Sequence, residues 1–215
     1  EYNNLGFVIT DEQHRFGVNQ RANLQNKGLR PDILYMSATP IPRTYALTIY
    51  GDMDMSIIKE RPNGRQPITT YLKSNDEIKD VLQMMLDELK KGHQVYVIAP
   101  LIEESENSDL ATVCKLKDQM TLAFGKNFKI DIIHGKMAGG AKDLIMQEFA
   151  QGKIQILIST TVIEVGVDVP NATTMVIFDA NRFGLSTLHQ LRGRVGRGSS
   201  KSQCILISNS DTKRL

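Results

Sequence analysis

Short apolar runs alternate along the chain with longer segments that have a helical pattern. The runs are rich in Val, Ile and Leu at consecutive positions, which predicts strands buried on both faces of a parallel sheet. The longer segments carry apolar residues at helical spacing. The predicted strands are 5–10, 32–37, 94–99, 129–134, 154–159, 174–179 and 203–208, and the predicted helices are 74–92, 109–125 and 138–153.

Strands that alternate with helices indicate βαβ units with right-handed crossovers. We therefore predict an α/β fold whose mostly parallel sheet is flanked by helices, with ligands beyond the C-terminal ends of the strands. The segment KERPNGRQP, residues 59–67, breaks this pattern with prolines, a glycine and mixed charge, which is typical of a linker. The expected domains are 1–58, which holds too few strands for a complete core, a linker at 59–68, and 69–215.

The composition of the chain limits its possible partners and its cellular compartment. Its 215 residues carry a formal net charge of +2, so bulk charge neither requires nor excludes a nucleic acid partner. Cys114 and Cys204 form no CxxC pattern, which argues against a zinc site or a disulfide framework and favours a reducing, cytoplasmic setting. We expect no membrane span and no signal peptide. Because the chain begins with Glu1 rather than Met, we expect it to be part of a longer protein.

The segment VITDEQH ends a predicted strand in two carboxylates. Asp11 could hold Mg²⁺ through a water, because that ion prefers carboxylate and water oxygens. Glu12 could orient or deprotonate an attacking water in phosphoryl transfer. An acidic turn after a strand is the plain alternative. The next predicted strand is followed by Ser37 and Thr39, whose hydroxyls could couple two sites or simply cap a helix.

The segment STTVIEVGVDVPNAT, residues 159–173, has phosphate-binding character. A strand ends there in Ser-Thr-Thr, so that Thr160 and Thr161 could contact phosphate oxygens together with backbone amides. Gly166 permits close backbone approach, and Asp168 could accept a ribose hydroxyl. Hydroxyls that cap a helix are again the alternative.

The segment STLHQLRGRVGRG predicts a helix capped by Ser186, with Arg194 and Arg197 on one helical face. Arginine stays charged, and its planar fork matches pairs of phosphate oxygens. Gly193 and Gly196 remove side chains so that a partner can approach closely. A solvated basic helix end is the alternative, but it needs neither the glycines nor arginine in place of lysine.

Together these segments resemble the motifs of superfamily 2 helicases and translocases, in order and spacing as well as content. DEQH is similar to the Walker B motif (motif II), SAT to motif III, STTVIEVGVDVPNAT to motif V and QLRGRVGR to motif VI. DEQHRFGVNQR, MSATPIPRTYALT and PNGRQPITTYL more narrowly resemble the RecG family of bacterial fork translocases. The Mfd family of transcription-repair translocases shares some of these phrases and is one alternative; a non-catalytic RecA-like binding module is another.

The resemblance implies an ATP-dependent DNA helicase, a motor of two RecA-like lobes of the P-loop NTPase fold. ATP and Mg²⁺ would bind between the lobes, and branched duplex DNA, including stalled forks and Holliday junctions, would be remodelled in recombination and repair. Residues 1–58 would end the first lobe with motifs II and III, and residues 69–215 would form the second lobe with motifs IV to VI. By the same resemblance Asp11 helps to hold Mg²⁺, Glu12 activates water, and His14 connects the ATP state to the rest of the motor.

The resemblance also assigns residues to the triphosphate and to DNA. Gln190, Arg194 and Arg197 would face the triphosphate, with Arg197 as the arginine finger on the γ-phosphate. Family analogy points to DNA contacts in the segment HGKM and in motif V. The candidate DNA contacts are His134, Thr160, Thr161 and Arg43. A hydrogen-bonded histidine at a strand end and solvated surface charge are the plain alternatives.

The chain departs from the family in that its 215 residues contain no G-x-x-x-x-G-K-S/T phosphate loop. The upstream wedge domain and the helical hairpin that follows motif VI in these families are not in the sequence either. We therefore expect the chain by itself to have no appreciable ATPase activity and to need the N-terminal wedge and phosphate-loop region of the same protein. Without that region, we expect residues 1–58 to pack atypically or to mediate a non-native dimer.

Overall fold

The structure is a computed structural model that describes residues 5–11, 31–37, 54–58, 66–99, 106–160 and 168–208. Contacts between Cα atoms divide the chain into two compact units, Glu1–Ile58 and Lys59–Leu215. Each unit is described by itself.

The first unit contains two parallel strands, β1 (Phe7–Thr10) and β2 (Asp32–Tyr35). Both were predicted from their apolar runs. Because the strands run in the same direction and pair in register over their whole length, the residues that follow them emerge at one edge of this small sheet. Asp11 directly follows β1, and Ser37 lies just beyond the end of β2.

The second unit is built on a six-stranded sheet in which all neighbouring strands are parallel. Five of these strands were predicted, and their buried runs explain why. The strands are β3 (Ile68–Ser74), β4 (Gln94–Ile98), β5 (Ile130–Ile133), β6 (Ile156–Ser159), β7 (Ala172–Ile177) and β8 (Ser202–Ser208). Their order across the sheet is β3-β8-β7-β4-β6-β5.

Helices cover both faces of this sheet. They are α1 (Ile78–Lys90), α2 (Glu106–Phe124), α3 (Gly139–Ala150) and α4 (Leu185–Arg192). Alternate residues of a strand point to opposite faces, so Val95 and Val97 of β4 pack with α1 and α2, whereas Tyr96 and Ile98 pack with α3 and α4. The predicted α/β class is confirmed. Within the described residues, no helix has the length and apolar character needed to cross a membrane.

The strand that the apolar pattern did not reveal is β3. It lies at one edge of the sheet, and its middle residues, Thr69 to Leu72, are exposed. An edge strand of this kind has no buried apolar run, which was the signal used for the other strands. β3 leads directly into a short 3-10 helix at Asn75–Glu77, where the backbone N–H of Ser74 donates to Glu77 Oε2 at 2.9 Å.

Candidate functional site

The basic segment 193–198, termed the arginine turn, does not continue the helix. α4 ends at Arg192, and the backbone of Gly196 is left-handed, with φ of 75°. Glycine adopts this conformation at little cost, whereas a helix cannot contain it, so the chain turns at this point. Arg194 and Arg197 therefore lie on a turn and not on one helical face, which corrects the prediction.

The start of α4 also differs from the prediction. Gly184 is the N-cap and Leu185 the first helical residue, whereas Ser186 was expected to cap the helix. The backbone N–H of Leu188 donates to the carbonyl oxygen of Gly184 at 3.0 Å, so the first intrahelical bond is already made before Ser186. A serine inside the first turn no longer occupies the capping position.

The glycines of the arginine turn make room for the protein's own chain. A Cβ on Gly196 would lie 2.7 Å from Ile68 Cγ1, and a Cβ on Gly198 would lie 2.7 Å from the carbonyl oxygen of Pro170. At Gly193 the nearest atoms belong to α4 itself, at 3.4 Å. The prediction that Gly196 admits an outside partner is therefore wrong, because contacts within the unit close this position, whereas for Gly193 it stays a prediction.

The arginine turn lies at the N-terminal edge of the sheet. Ile68 is the first residue of β3, and Pro170 lies two residues before the start of β7. We expected ligand sites beyond the C-terminal strand ends, as is general for parallel sheets. The arginines are at the opposite edge because α4 follows the C-terminal end of β7 and runs back across the sheet before β8 begins. The arginine turn therefore lies at the edge opposite to the one where ligands were expected, and the location of the ligand site stays a prediction.

Asp168 faces the arginine turn. Arg197 Nε lies 3.5 Å from Asp168 Oδ1 and 3.4 Å from the carbonyl oxygen of Gly193. The Arg197 and Asp168 side chains keep 32% and 54% of their surface exposed, so solvent weakens their attraction. Two residues that were predicted from different motifs are thus brought together.

Gln190 and Arg194 lie between Asp168 and Arg197 in the sequence. Both are half-buried, with Gln190 in the last turn of α4. Val195, which follows Arg194, is fully buried in the same core cluster as Leu191. The backbone on either side of Arg194 is therefore anchored to the core, whereas the guanidinium group is not withdrawn from solvent.

Tyr96 is the residue near this site that sequence reasoning missed. It is 3% exposed, and its ring packs against Phe149 with the centroids 4.8 Å apart. Burial raises the pKa of Tyr96 to about 12; the positive charges of Arg194 and Arg197 act to lower that pKa, and Asp168 acts to raise it. The phenol therefore lies within electrostatic reach of all three charged residues. A polar aromatic residue inside the aliphatic run QVYVIA was the available signal.

His134 and Thr160 lie side by side at the C-terminal edge of the sheet. The register pairs Ile133 of β5 with Ser159 of β6, so His134 and Thr160 are the first residues beyond neighbouring strands. His134 is half-buried and Thr160 is fully buried. In the part of the chain that the structure describes, Thr160 Oγ1 has no hydrogen-bond partner. Leaving a buried hydroxyl unsatisfied is costly, which makes this oxygen a candidate ligand contact.

The start of α3 lies on the loop that follows β5, at this same edge. Its N-cap, Ala138, makes no side-chain cap bond, and the first turn of this helix carries no acidic residue. The first N–H groups of a helix need partners, and the helix dipole favours an anion beside them. Cβ atoms added to Gly139 or Gly140 would meet nothing within 4 Å, so no protein group crowds this side of the turn, although the N–H groups of Ala141 and Lys142 already donate to the Ala138 carbonyl oxygen.

Asp11 and Ser37 share one edge of the small sheet in the first unit, because the N–H of Met36 donates to the Thr10 carbonyl oxygen at 2.8 Å. Over the ranges that the structure covers, no three His, Cys, Asp or Glu residues are grouped to bind a metal, and the Mg²⁺ site stays a prediction. The other predicted site residues, Glu12, His14, Thr39, Arg43, Thr161 and Gly166, lie outside the described residues.

Comparison with solved structures defines the class of the fold. The chain is similar to a structure of RecG bound to a three-way DNA junction, with a TM-score of 0.73 and 43% identity, over 98% of this chain and 27% of that one. It also resembles Mycobacterium smegmatis helicase Lhr bound to ssDNA and AMP-PNP, with a TM-score of 0.64 and 18% identity, over 94% of this chain and 28% of that one. The six-stranded unit is a RecA-like helicase lobe.

Residues 76–199 match the helicase conserved C-terminal domain, and the chain belongs to that family. It is 54% identical over 213 residues to the ATP-dependent DNA helicase RecG of Staphylococcus epidermidis, and 55% identical over 212 residues to RecG of Streptococcus pneumoniae. Each match covers 99% of this chain but 31% and 32% of the respective relative. The resemblance to RecG that was predicted from the motifs is confirmed.

Proposed function

We propose that this chain is the helicase-lobe portion of an ATP-dependent DNA helicase that remodels branched DNA, such as stalled forks and Holliday junctions, in recombination and repair. Two relatives with more than half of their aligned residues identical are ATP-dependent DNA helicases, and a related RecG structure contains a three-way junction. In this proposal residues 1–58 form the C-terminal part of the first lobe. The expected linker, 59–68, is shortened by one residue to 59–67, because Ile68 already belongs to β3, and the second lobe extends from there to residue 215. The high identity to RecG favours this function over that of the Mfd family.

The observation that carries the proposal is the arginine turn beside Asp168. Arg194 and Arg197 provide permanent charge in a planar fork that matches phosphate oxygens, and Asp168 provides an acceptor for a ribose hydroxyl. Their exposure and the 3.5 Å Arg197–Asp168 separation fit a site that exchanges this pair for a nucleotide. ATP supplies the anhydride bond whose hydrolysis drives translocation. Arg197 stabilises charge on the γ-phosphate, while Gln190 and Arg194 orient the triphosphate.

The first unit would supply the remaining chemistry on this chain. Asp11 would hold Mg²⁺ through a water, and Glu12 would orient and deprotonate the attacking water. His14, Ser37 and Thr39 would relay the state of the nucleotide. These roles are supported by the order of the motifs and by the shared edge on which β1 and β2 end.

We assign DNA to the C-terminal edge of the second unit. The uncapped start of α3 offers donors to backbone phosphates, which position a duplex without reading its sequence. The unpaired hydroxyl of Thr160 is buried and would join them once DNA binding uncovers it. His134 adjoins Thr160 through the β5–β6 register. Thr161, Arg43 and Gly166 enter this proposal, as DNA or nucleotide contacts, from the motif resemblance alone.

The chain acts, in this proposal, together with the phosphate-loop and wedge regions of the same protein. Since its 215 residues contain no phosphate-loop motif, the purified chain should hydrolyse ATP no faster than a protein-free blank. A helicase of chromosomal DNA works where that DNA lies, so a cytoplasmic location forms part of the proposal.

The decisive experiment compares variants of the full-length protein in ATP hydrolysis and in forked-DNA binding. We expect Arg197→Ala to lower turnover by about 10³-fold or more while forked DNA still binds. Lys136→Ala, in the HGKM segment, should retain turnover at saturating DNA but flatten the log–log salt dependence of DNA binding by about one unit. Lys153→Ala, which removes another exposed lysine, is the control for both. Wild-type turnover in Arg197→Ala would exclude the assigned role of the arginine turn.

A further inference from the structure

The first residue of β3 supports the arginine turn. Ile68 is half-buried against the core cluster beneath α3 and α4. Its Cγ1 and Cδ1 lie 2.7 Å and 3.0 Å from the position of a Cβ on Gly196, and Ser202 Cβ lies at 3.7 Å. Ser202 is the register partner of Ile68 on β8. The backbone of Gly196 therefore rests directly on the paired first residues of β3 and β8.

Arg197 lies between two close backbone contacts. On one side Gly196 meets Ile68; on the other, Gly198 meets the carbonyl oxygen of Pro170, 2.7 Å from where a Cβ would be. Close-packed contacts of this kind transmit displacement because there is no void to absorb it. A shift at the start of β3 must therefore move the backbone that carries Arg197.

Ile68 is also close to where the chain enters the second unit. The division between the units falls after Ile58, and the stretch 59–67 is the covalent connection that leads into β3. Pro67 immediately precedes Ile68, and the proline ring fixes φ. The proline ring therefore limits backbone rotation directly before Ile68.

We propose that Ile68 is a positioning residue for Arg197, because its contact with the backbone of Gly196 holds the arginine turn in place. This inference rests on the proposed role of Arg197 in ATP hydrolysis. Because an arginine finger acts on charge that develops in the transition state, a misplaced Arg197 lowers kcat more than it weakens nucleotide binding. Ile68 touches no substrate in this scheme, since it acts through the backbone of Gly196.

The test uses the full-length protein and starts with Ile68→Ala. We expect kcat for ATP hydrolysis to fall by about 10- to 100-fold, the loss typical of a small misplacement of a reacting group. KM for ATP and affinity for forked DNA should stay within about twofold, because a displaced Arg197 leaves ground-state binding in place. The control is Leu72→Ala on the same strand, whose side chain is 56% exposed. Ile68→Val shortens the side chain without emptying the site, so it should give a smaller loss of kcat. This variant also provides the test if Ile68→Ala does not fold.

A double-mutant cycle tests the contact itself. Gly196→Ala alone should lower kcat, because its methyl group meets Ile68 and the left-handed backbone is strained. Combining it with Ile68→Ala removes the obstructing Cγ1 and Cδ1. The kcat of the double variant should therefore be several-fold higher than that of Gly196→Ala. Residues in contact show such non-additivity, whereas independent sites do not.

The outcomes separate this inference from the function on which it rests. Wild-type turnover in Arg197→Ala would contradict both the proposed role of Arg197 in ATP hydrolysis and the positioning role of Ile68. If Arg197→Ala is inactive but Ile68→Ala matches Leu72→Ala, the inference alone is wrong. The same conclusion follows if the losses of Ile68→Ala and Gly196→Ala simply multiply in the double variant.

Discussion

The two edges of the sheet in the second unit are organised in opposite ways. At the N-terminal edge, the arginine turn is packed so closely against Ile68 and Pro170 that Gly196 and Gly198 have no space for a Cβ. At the C-terminal edge, Gly139 and Gly140 face open space and, among the described residues, the buried hydroxyl of Thr160 has no partner. Packing fixes one edge, whereas the other leaves donors and space uncommitted.

This difference fits two kinds of ligand. A group that must meet a reacting phosphate benefits from being fixed in advance, because preorganised charge needs no rearrangement during the reaction. In the proposed function, a contact to the repeating phosphates of DNA would release and rebind as the helicase moves, and open backbone donors would serve that purpose. The same substitution should therefore have opposite effects at the two edges.

The largest expected effect is at the N-terminal edge, where the arginine turn is closely packed. Gly198→Ala places a methyl group 2.7 Å from the carbonyl oxygen of Pro170, and a backbone atom cannot rotate away. We expect the free energy of unfolding to fall by about 1–3 kcal/mol, as for other overpacked sites, measured by denaturant unfolding of the chain. Gly135→Ala, where a Cβ would meet nothing within 4 Å, is the control. Equal stability of the two variants would contradict the close packing of the arginine turn at the N-terminal edge.

At the C-terminal edge we expect a smaller change in the free energy of unfolding, and one of opposite sign. Thr160→Val replaces an unsatisfied buried hydroxyl by a methyl group of the same shape, so the free energy of unfolding should rise by about 1 kcal/mol. Forked-DNA binding by the full-length protein should weaken at the same time. Thr174→Val is the matched control, because Thr174 is also fully buried but its Oγ1 accepts a hydrogen bond from Gln203 at 3.1 Å. That variant should lose stability; a loss of stability in Thr160→Val as well would show that its hydroxyl is already satisfied.

The smallest effect is expected for Gly140→Ala at the start of α3. A Cβ there meets nothing within 4 Å, and alanine is a better helix former than glycine, so stability should rise by about 0.5 kcal/mol. Thermal melting of the chain measures this gain. The added methyl group should also weaken forked-DNA binding, since it covers backbone donors. Unchanged DNA affinity would remove the start of α3 from the proposed DNA surface.

Sequence patterns predicted the buried strands of the second unit well but could not predict β3. A run such as QVYVIA is apolar because neighbours cover both its faces, whereas Thr69 to Leu72 lie exposed at an edge. An edge strand forms because it pairs with its neighbour, and β3 pairs over its whole length with β8. Because β8 is distant from β3 in the sequence, this pairing leaves no local signature.

The chemistry of the candidate site was more predictable than its placement. Arg194, Arg197 and Asp168 were identified from residue type and motif, and the structure brings Arg197 and Asp168 together. Their position at the N-terminal edge depends on the return of α4 across the sheet, and the role of Gly196 depends on a contact with Ile68. Tyr96 was missed because a single polar group in a strand gives no indication of the charges that surround it.

The exposed edge strand has a practical consequence for anyone who handles this chain in isolation. β3 is the terminal strand of the sheet as far as the structure describes it, and it exposes Tyr71 and Leu72. Such an edge can recruit a strand from another molecule, which is a common route to aggregation. A lysine in place of Thr70, which is solvent-facing, would act as a gatekeeper and should extend the shelf life of concentrated samples.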